Sequence, residues 1–305
     1  MSHQCTCGLL GDFKFPLSAQ SFCATCFSRK FEKRIIKRIP MSLRGHSVAI
    51  ALSGGKDSST LLHILHKYQK KLKIPLLAAI VLEEEIPQIQ SSREKIINEI
   101  KTKYFSVKFF QKSYTELFNH SLPSLTQQSD KLNLGFTPCA ICGVLRRHGI
   151  LKLAMAIRVD FIVMGNTLED EATTVLLNII RGNHQRNFRS RIKYEPTDRE
   201  SLPLRIKPLS KVFEKTIQVY SNINQVPFLS GNCEFTSRSL RSDISTFLNS
   251  MMEKDPHILY NIVSSVNKEQ SFKTDTEKVY KCKQCSSYSP DLVCAACRMI
   301  RKIMR

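Results

Sequence analysis

Ala49-Ile-Ala-Leu-Ser-Gly-Gly-Lys-Asp-Ser-Ser-Thr-Leu-Leu62 is the stretch on which the reading of this chain turns. The apolar run from Ser47 to Leu52 reads as a buried strand, Gly54-Gly55 as a turn, and the residues beyond as a helix opening at Asp57 or Ser58. Paired glycines let the backbone turn tightly and approach a ligand with no Cβ in the way. The helix start behind them aims unpaired N–H groups at that ligand, in a field that favours an anion. Ser53, Lys56 and Ser58 add two hydroxyls and a positive charge, and together these parts make a phosphate cradle. The spacing is not the Gly-x-x-x-x-Gly-Lys of a Walker loop.

Outward from this stretch, short apolar runs alternate with helical ones. Strands are expected at 47–52, 75–82, 104–110, 160–164 and 203–206, and helices at 58–71, 91–102, 140–158, 169–181, 211–224 and 236–252. Such alternation predicts an α/β, Rossmann-like parallel sheet with helices on both faces, spanning 47–264. Ligands of these sheets sit at the carboxyl ends of the strands, where the strand order reverses. That rule gathers Ser53–Ser58, the residues after Leu82 and the Gly165-Asn166 turn around one crevice. Ser121–Pro138 and the Arg/Lys-rich Gly182–Leu202 read as long loops, which in a compact domain are usually functional or disordered.

The chain has 305 residues, 42% of them hydrophobic, enough for one large domain with small appendages. A formal charge of +20 argues for a polyanionic partner such as nucleic acid. Two zinc sites of four thiolates each would remove about 4 of those charges and leave the chain basic. No stretch reaches the ~20 apolar residues of a membrane span, and the N-terminus shows no export signal. The expected setting is the cytoplasm, where eleven cysteines serve metal or catalysis rather than disulfides.

Those cysteines sort into three groups. Cys5, Cys7, Cys23 and Cys26 surround a turn-rich loop and read as a zinc module over residues 1–30, with His3 an alternative to Cys5 or Cys7. Cys282-x-x-Cys285 and Cys294-x-x-Cys297 have zinc-ribbon spacing, within a C-terminal unit over 265–305 made of a polar linker to Lys281, the ribbon and a basic tail. Phe31-Glu-Lys-Arg-Ile-Ile-Lys-Arg-Ile39 is a basic helix in the linker 31–46, either a solvated face or a contact to RNA phosphate. The third group is Cys139, Cys142 and Cys233. Three thiolates leave a four-coordinate site open, as catalysis requires. They suit a cluster with one free iron, or persulfide chemistry between Cys233 and one of the pair.

With these residues in place, the chain resembles the PP-loop tRNA 2-thiouridine synthetases of the two-zinc-finger type, the TtuA-like enzymes and their wobble-uridine relatives. The resemblance rests on Ser53-Gly-Gly-Lys-Asp-Ser58, Glu83-Glu-Glu-Ile86, Ser113-Tyr-x-Glu-Leu117 and Cys139-x-x-Cys-Gly-x-x-Arg-Arg147. It continues through Gly165-Asn-x-x-Glu-Asp-Glu-Ala172, Thr174-Val-Leu-Leu-Asn178, Arg181-Gly182, Arg205-Ile-Lys-Pro-Leu209, Glu214-Lys215, Cys233 and both terminal quartets. It implies ATP bound by Leu52, Ser53, Gly54, Gly55, Lys56, Asp57, Ser58, Val81, Arg146, Gly165 and Asp170, with Mg²⁺ on the pyrophosphate and Asp170 near the metal. AMP would pass to the 2-oxo group of a tRNA uridine. Sulfur from a ubiquitin-like thiocarboxylated carrier, held on a 4Fe–4S cluster ligated by Cys139, Cys142 and Cys233, would displace it. Catalysis would then rest on these cysteines with Lys56, Asp57 and Asp170, and Lys56, Arg146 or Arg147 would stabilise charge on the phosphates. The family also has homodimers and heterodimers.

Asn166 and Glu169 stand where that family has His and Asp, Glu83 and Glu85 where it has Asp and Gly, and Glu234-Phe235 follows Cys233 in place of its usual pair. These departures mark a divergent member. Two other readings compete: a tRNA-binding partner subunit weakened in catalysis, and a cytidine 2-thiolase. The intact loop and three central cysteines oppose the first; the paired terminal quartets oppose the second.

Overall fold

A computed structural model of the chain describes residues 4–183, 193–196, 202–231, 233, 235, 239–268 and 276–304. At the N-terminus a small antiparallel hairpin, β1 (Phe13–Lys14) and β2 (Ser21–Phe22), leads into α1 (Ala24–Arg38). The apolar run ahead of the glycine turn is β3 (Val48–Ala51), followed by α2 (Lys56–Tyr68). Next come β4 (Leu77–Glu83), α3 (Pro87–Lys103), β5 (Lys108–Ser113), α4 (Tyr114–Phe118), α5 (Leu122–Lys131) and α6 (Pro138–Ala156). The chain continues through β6 (Phe161–Val163), α7 (Leu168–Ile180), β7 (Lys193–Pro196), β8 (Leu204–Ile206) and α8 (Glu214–Ile223). It closes with α9 (Leu240–Lys254), α10 (Ile258–Lys268), β9 (Thr276–Lys281), β10 (Tyr288–Ser289) and α11 (Ala295–Ile303).

Five strands form a parallel sheet in the order β5-β4-β3-β6-β8, so the expected Rossmann-like α/β sheet is present. The order reverses between β3 and β6, which is where such a sheet opens its ligand crevice. Strand alternation divides the core. Val48, Ile50, Ala79 and Val81 face one layer, with Leu61 and Leu65 of α2, Ile100 of α3 and Ile217 of α8. Ala49, Ala78, Ile80 and Ile162 face the other, with Leu125 of α5, Ile141 and Leu145 of α6 and Ile303 of α11. Both faces are covered, which is why these strands read as continuous apolar runs. Leu168 and Ala172 of α7 and Leu248 of α9 form a smaller cluster beside them.

Neither terminal module stands apart. Phe15 stacks on Phe27 with ring centroids 4.4 Å apart, and both join the core layer of α1 and α2. A buried carboxylate locks that layer: Glu32 of α1 accepts hydrogen bonds from Lys67 Nζ (2.7 Å), Tyr68 Oη (2.8 Å) and Tyr220 Oη (2.8 Å). Helix α1 runs unbroken through residue 30, where the sequence suggested a boundary. At the other end, Cys282, Cys294, Ala296 and Ile303 pack into the layer of α5 and α6.

Other boundaries also differ from expectation. Residues 121–138 were expected to be loop, yet they hold α5, started by Ser121 accepting from Ser124 N and anchored by buried Leu122 and Leu125. Residues 104–107 turn off α3 and delay β5 to Lys108. The linker expected at 265–281 begins inside α10 and ends in β9, with 269–275 outside the described residues. Of the Gly182–Leu202 loop, residues 184–192 and 197–201 lie outside the described residues; β7 within it pairs in parallel with β9 in a second sheet, β10-β9-β7.

Candidate nucleotide and cysteine sites

The glycine turn connects the carboxyl end of β3 to the first turn of α2. Gly54 has φ +85°, a left-handed conformation that glycine adopts without strain, and its carbonyl accepts from Leu229 N at 2.8 Å. Ser53 Oγ lies 3.1 Å from Ser58 Oγ and accepts from Gly55 N at 3.3 Å, so the serines brace the loop from inside. Leu52 is buried and donates its N–H to Ile80 O, fixing the loop to β4. Across the reversal point Gly165 leaves no room for a side chain: a Cβ there would come within 3.0 Å of Ser58 N and 3.2 Å of Asp57 C. The Gly165 turn therefore does lie beside the loop, packed against the first turn of α2. These features fit the phosphates of a nucleotide.

Lys56 projects from this turn into a ring of carboxylates. It pairs with Glu214 at the start of α8 and lies 3.7 Å from Asp57 Oδ1. Burial pulls its pKa down, but Asp57, Glu214 and Asp170 reverse this, and the net shift is upward. Lys56 is a stable cation. Asp57 behaves oppositely: burial, with Glu214, Asp170 and Glu169 adding, outweighs Lys56 and lifts its carboxyl to about 7. Its buried Oδ1 accepts no hydrogen bond.

Asp170, expected near a metal, is engaged on both oxygens. Oδ2 accepts from Thr167 N (3.2 Å) in a capping box at the start of α7, and Oδ1 pairs with Arg241 Nη2 of α9 at 2.8 Å. Glu169, one of the departures, accepts from Glu214 N at 3.0 and 3.1 Å. It thereby caps α8, whose N-cap Phe213 has no side chain to do so, with a charge suited to that helix end.

A second network leads from the loop to the cysteines. The open side of Gly54 faces α3: a Cβ added there would lie 3.6 Å from Ile97 Cδ1 and 3.9 Å from Arg93 Cγ. Arg93 pairs with Glu84, which lies beyond β4 and is buried to 2% exposure. Glu84 Oε1 also pairs with Arg146 Nη2 of α6 at 2.8 Å, and that nitrogen donates to Cys142 Sγ at 3.4 Å. Burial alone would raise the Glu84 pKa; the guanidiniums of Arg146 and Arg93 overcome it and hold the carboxyl low. Tyr114, wholly buried, places its hydroxyl 3.3 Å from Cys142 O and 3.5 Å from Cys142 Sγ. Cys139 Sγ donates to Phe235 O at 3.2 Å, which ties the start of α6 to the segment carrying Cys233. Burial pushes both Cys139 and Cys142 upward, and Cys233 is among the groups each of them feels. The three half-buried thiols thus occupy one region.

Glu85 stands where the resembled family has glycine, and it keeps the left-handed backbone at φ +60°. Its carboxylate turns away to Thr115, accepting from N (2.9 Å) and Oγ1 (2.8 Å) at the start of α4. Glu83 is held by Gln111, and Val81 lines a small cavity with Glu83, Glu84 and Arg93. Arg146, expected on a nucleotide, is engaged by Glu84 and Cys142.

Among the described residues, two groups of metal-ligating atoms lie within 4.8 Å of one another: Cys5, Cys7, Cys23 and Cys26, and Cys282, Cys285, Cys294 and Cys297. Cys7 Sγ is 3.6 Å from Cys23 Sγ, and Cys285 Sγ is 3.7 Å from Cys294 Sγ. Four sulfurs about 2.3 Å from one tetrahedral ion would be about 3.8 Å apart, so both cages fit zinc. Hydrogen bonding to its sulfur neighbours, Cys7 first, pushes the Cys26 thiol up to about 12. His3 lies outside the described residues.

Several pairings had no local signal in the sequence, although Glu214 and Tyr114 themselves fall in motifs that carry the resemblance. Glu214 meets Lys56 across 158 positions and Arg241 meets Asp170 across 71. Tyr114 and Arg93 reach the site only because β4 and its neighbours end beside one another.

The PP-loop domain profile matches residues 25–250. Cytoplasmic tRNA 2-thiolation protein 1 of Drosophila virilis is 29% identical over 306 residues, covering 98% of this chain and 87% of the relative. The Drosophila melanogaster protein of that name is 28% identical with the same coverage. Among solved structures, the U34-tRNA thiolase NcsA from Methanococcus maripaludis with its 4Fe-4S cluster superposes with a TM-score of 0.83 at 23% identity, over 99% of this chain and 97% of that one. That likeness establishes the fold. With the profile spanning most of the chain and its loop built as described, this protein belongs to the PP-loop domain family.

Proposed function

We propose that this protein is an ATP-dependent tRNA 2-thiolation enzyme acting on uridine in the cytoplasm. The observation that carries the reading is the chain of contacts from Arg93, on the helix that Gly54 faces, through Glu84 and Arg146 to Cys142. It makes a phosphate-binding turn and a three-thiol site neighbours in one crevice. The names of the relatives supply the substrate, and the chain's +20 charge suits it.

In this reading the α2 N-terminus and Lys56 hold the ATP phosphates, displacing Glu214 from Lys56. The uridine 2-oxygen attacks the α-phosphorus and pyrophosphate leaves; sulfur then bonds to C2 and AMP leaves with the oxygen. Lys56 stays cationic throughout, stabilising charge where it builds on phosphate. Mg²⁺ would be held beside Asp57, whose Oδ1 accepts no hydrogen bond and faces Lys56 at 3.7 Å, with Asp170 in the surrounding field. Cys139, Cys142 and Cys233 would ligate a 4Fe–4S cluster, which when bound supplies a free iron to carry the sulfur. Their residence in one region without the tight packing of the terminal quartets suits a cluster that spreads its thiolates over three irons. The terminal quartets would hold zinc. A ubiquitin-like thiocarboxylated carrier is the sulfur source, and pairing with a second copy or a related subunit belongs to the same proposal.

The test is anaerobic reconstitution with iron, sulfide and zinc, then ATP and tRNA, reading pyrophosphate release and 2-thiouridine by nucleoside mass spectrometry. Pyrophosphate and thiolated product are expected. No turnover would favour a tRNA-binding partner subunit. Cys139→Ala, Cys142→Ala and Cys233→Ala should each abolish the visible cluster absorption, and unchanged iron content would sink the cluster assignment.

A further inference from the structure

Away from the crevice, a groove of about 580 Å³ opens between the hairpin, the last turns of α1, the turn before α8 and the start of α10. Its volume falls in the range of ligand sites, about 300–1,000 Å³. Its lining is one-sided in charge. Arg34, Lys37, Arg38, Lys211 and His257 line it, with no acidic residue among the lining side chains. Most of its apolar floor is closed to a partner, since Phe15, Phe31 and Ile35 are at most 3% exposed, while Leu17 at the rim is 46% exposed.

The cations are arranged by the fold. Arg34 packs its guanidinium over the Phe15 ring, 4.0 Å from the centroid, which ties its direction to the hairpin. Arg38 Nη2 donates to Lys211 O at 3.3 Å, and Tyr260 Oη donates to the same carbonyl at 3.1 Å. These two bonds fix the Lys211 turn as the wall opposite α1. Arg34 and Arg38 are one helical turn apart, about 5–6 Å between Cβ atoms. Such a row of charge exceeds what a single phosphate can satisfy, whereas successive phosphates of a nucleic-acid backbone can engage all of it. The wall is also close to the chemistry: Lys211–Phe213 line the groove, and the next residue, Glu214, pairs with Lys56.

We infer that this groove is the seat of the substrate RNA's phosphodiester backbone, contacted without regard to base sequence. The inference rests on the tRNA reading above and adds the surface and the residues. A protein partner fits less well, because an interface core needs accessible apolar area and the groove's exposed residues are mostly cationic. Phosphate contacts of this kind position the substrate and set its salt dependence.

The experiment uses the full-length, zinc-loaded protein and an unmodified tRNA transcript, with affinity read by fluorescence anisotropy from low to moderate salt. Arg34→Glu with Lys37→Glu on one wall, and Lys211→Glu alone on the other, are compared with the parent. Binding of a fluorescent ATP analogue and the melting temperature report that each variant is folded. The double variant should weaken tRNA binding at least about tenfold and flatten the log–log salt slope by about 1.4 to 1.8, at about 0.7–0.9 for each phosphate no longer neutralised. Lys211→Glu should flatten the slope by the amount of about one phosphate, with ATP-analogue binding unchanged in both. Unaltered affinity and slope in both variants, with the parent binding tRNA, would overturn the groove and leave the thiolation reading standing. A parent that binds no tRNA would overturn both. Variants that keep tRNA but no longer bind a purified ubiquitin-like carrier would reassign the groove to protein and overturn the proposal.

Discussion

At the scale of single residues, the loop is defined by which charges are held and which are left waiting. Lys56 is held by Glu214, so a phosphate entering the cradle replaces one anion with another rather than meeting a bare cation. Asp57 waits beside it with a carboxyl lifted to about 7. A group whose folded pKa is raised supports the fold below its unfolded value, near 3.9, and loses that support as pH rises through the folded value. Wild-type stability should therefore fall between about pH 4 and pH 7 through this residue. Asp57→Asn should flatten that segment of a melting-temperature profile, and parallel profiles would contradict it. Tyr114 carries a second expectation. Removing its hydroxyl from Cys142 in Tyr114→Phe should leave iron loading intact and make the potential of the reconstituted cluster more negative, because hydrogen bonds to thiolate favour the reduced state. A redox titration with unchanged potential would place the hydroxyl elsewhere. Ser53–Ser58 was legible in the sequence because its chemistry is contiguous. The partners of Lys56 and Asp170 were not, since Glu214 and Arg241 arrive from helices far along the chain.

Among elements, α1 is more than a connector. One face carries the cations of the groove and the other buries Phe27, Phe31 and Ile35, while Glu32 accepts three hydrogen bonds from α2 and α8. Glu32→Ala would leave the Tyr220 hydroxyl unpartnered in a wholly buried position and release Lys67 and Tyr68. The expected loss is about 3 kcal/mol, since an orphaned buried donor costs about 1–3 kcal/mol and breaking a buried ionic contact about 3–5 kcal/mol. Denaturant unfolding measures it; a change under about 0.5 kcal/mol would mean the network is incidental. The sequence showed the second half of α1 as a basic linker helix, because alternating Lys, Arg and Ile report a helix without saying what it covers. It showed α5 as loop for a different reason. Leu122 and Leu125 are too few to set a period, and the helix is held by packing on α6 rather than by propensity. Glu85 is another position where context prevailed, as its left-handed backbone and its bonds to Thr115 belong to the junction with α4.

For the whole molecule, the terminal modules are part of the core, so an ion held by either cysteine quartet would couple its loading to global stability. A strong chelator at neutral pH should lower the melting temperature of the entire protein, with Cys294→Ser more damaging than Cys7→Ser because Cys294 is 0% exposed and Cys7 lies at the surface. Equal effects of the two substitutions, read by calorimetry, would contradict this. The doubly wound sheet was legible from strand–helix alternation alone. The docking of the C-terminal ribbon was not, since it depends on the surface of α5 and α6. Last, consider the pairing of β7 with β9, Lys193 opposite Thr276 and Pro196 opposite Val279. During synthesis the chain emerges N-terminus first, so Lys193–Pro196 leaves the ribosome long before its partner strand has been translated. That partner, β9, is also the neighbour of β10 just ahead of the Cys294–Cys297 pair. Among the described residues, β7 consequently gains its partner strand once β9 has been made. A message truncated before codon 276 would yield a chain in which β7 lacks that partner and the layer of α5 and α6 lacks Cys282, Cys294, Ala296 and Ile303.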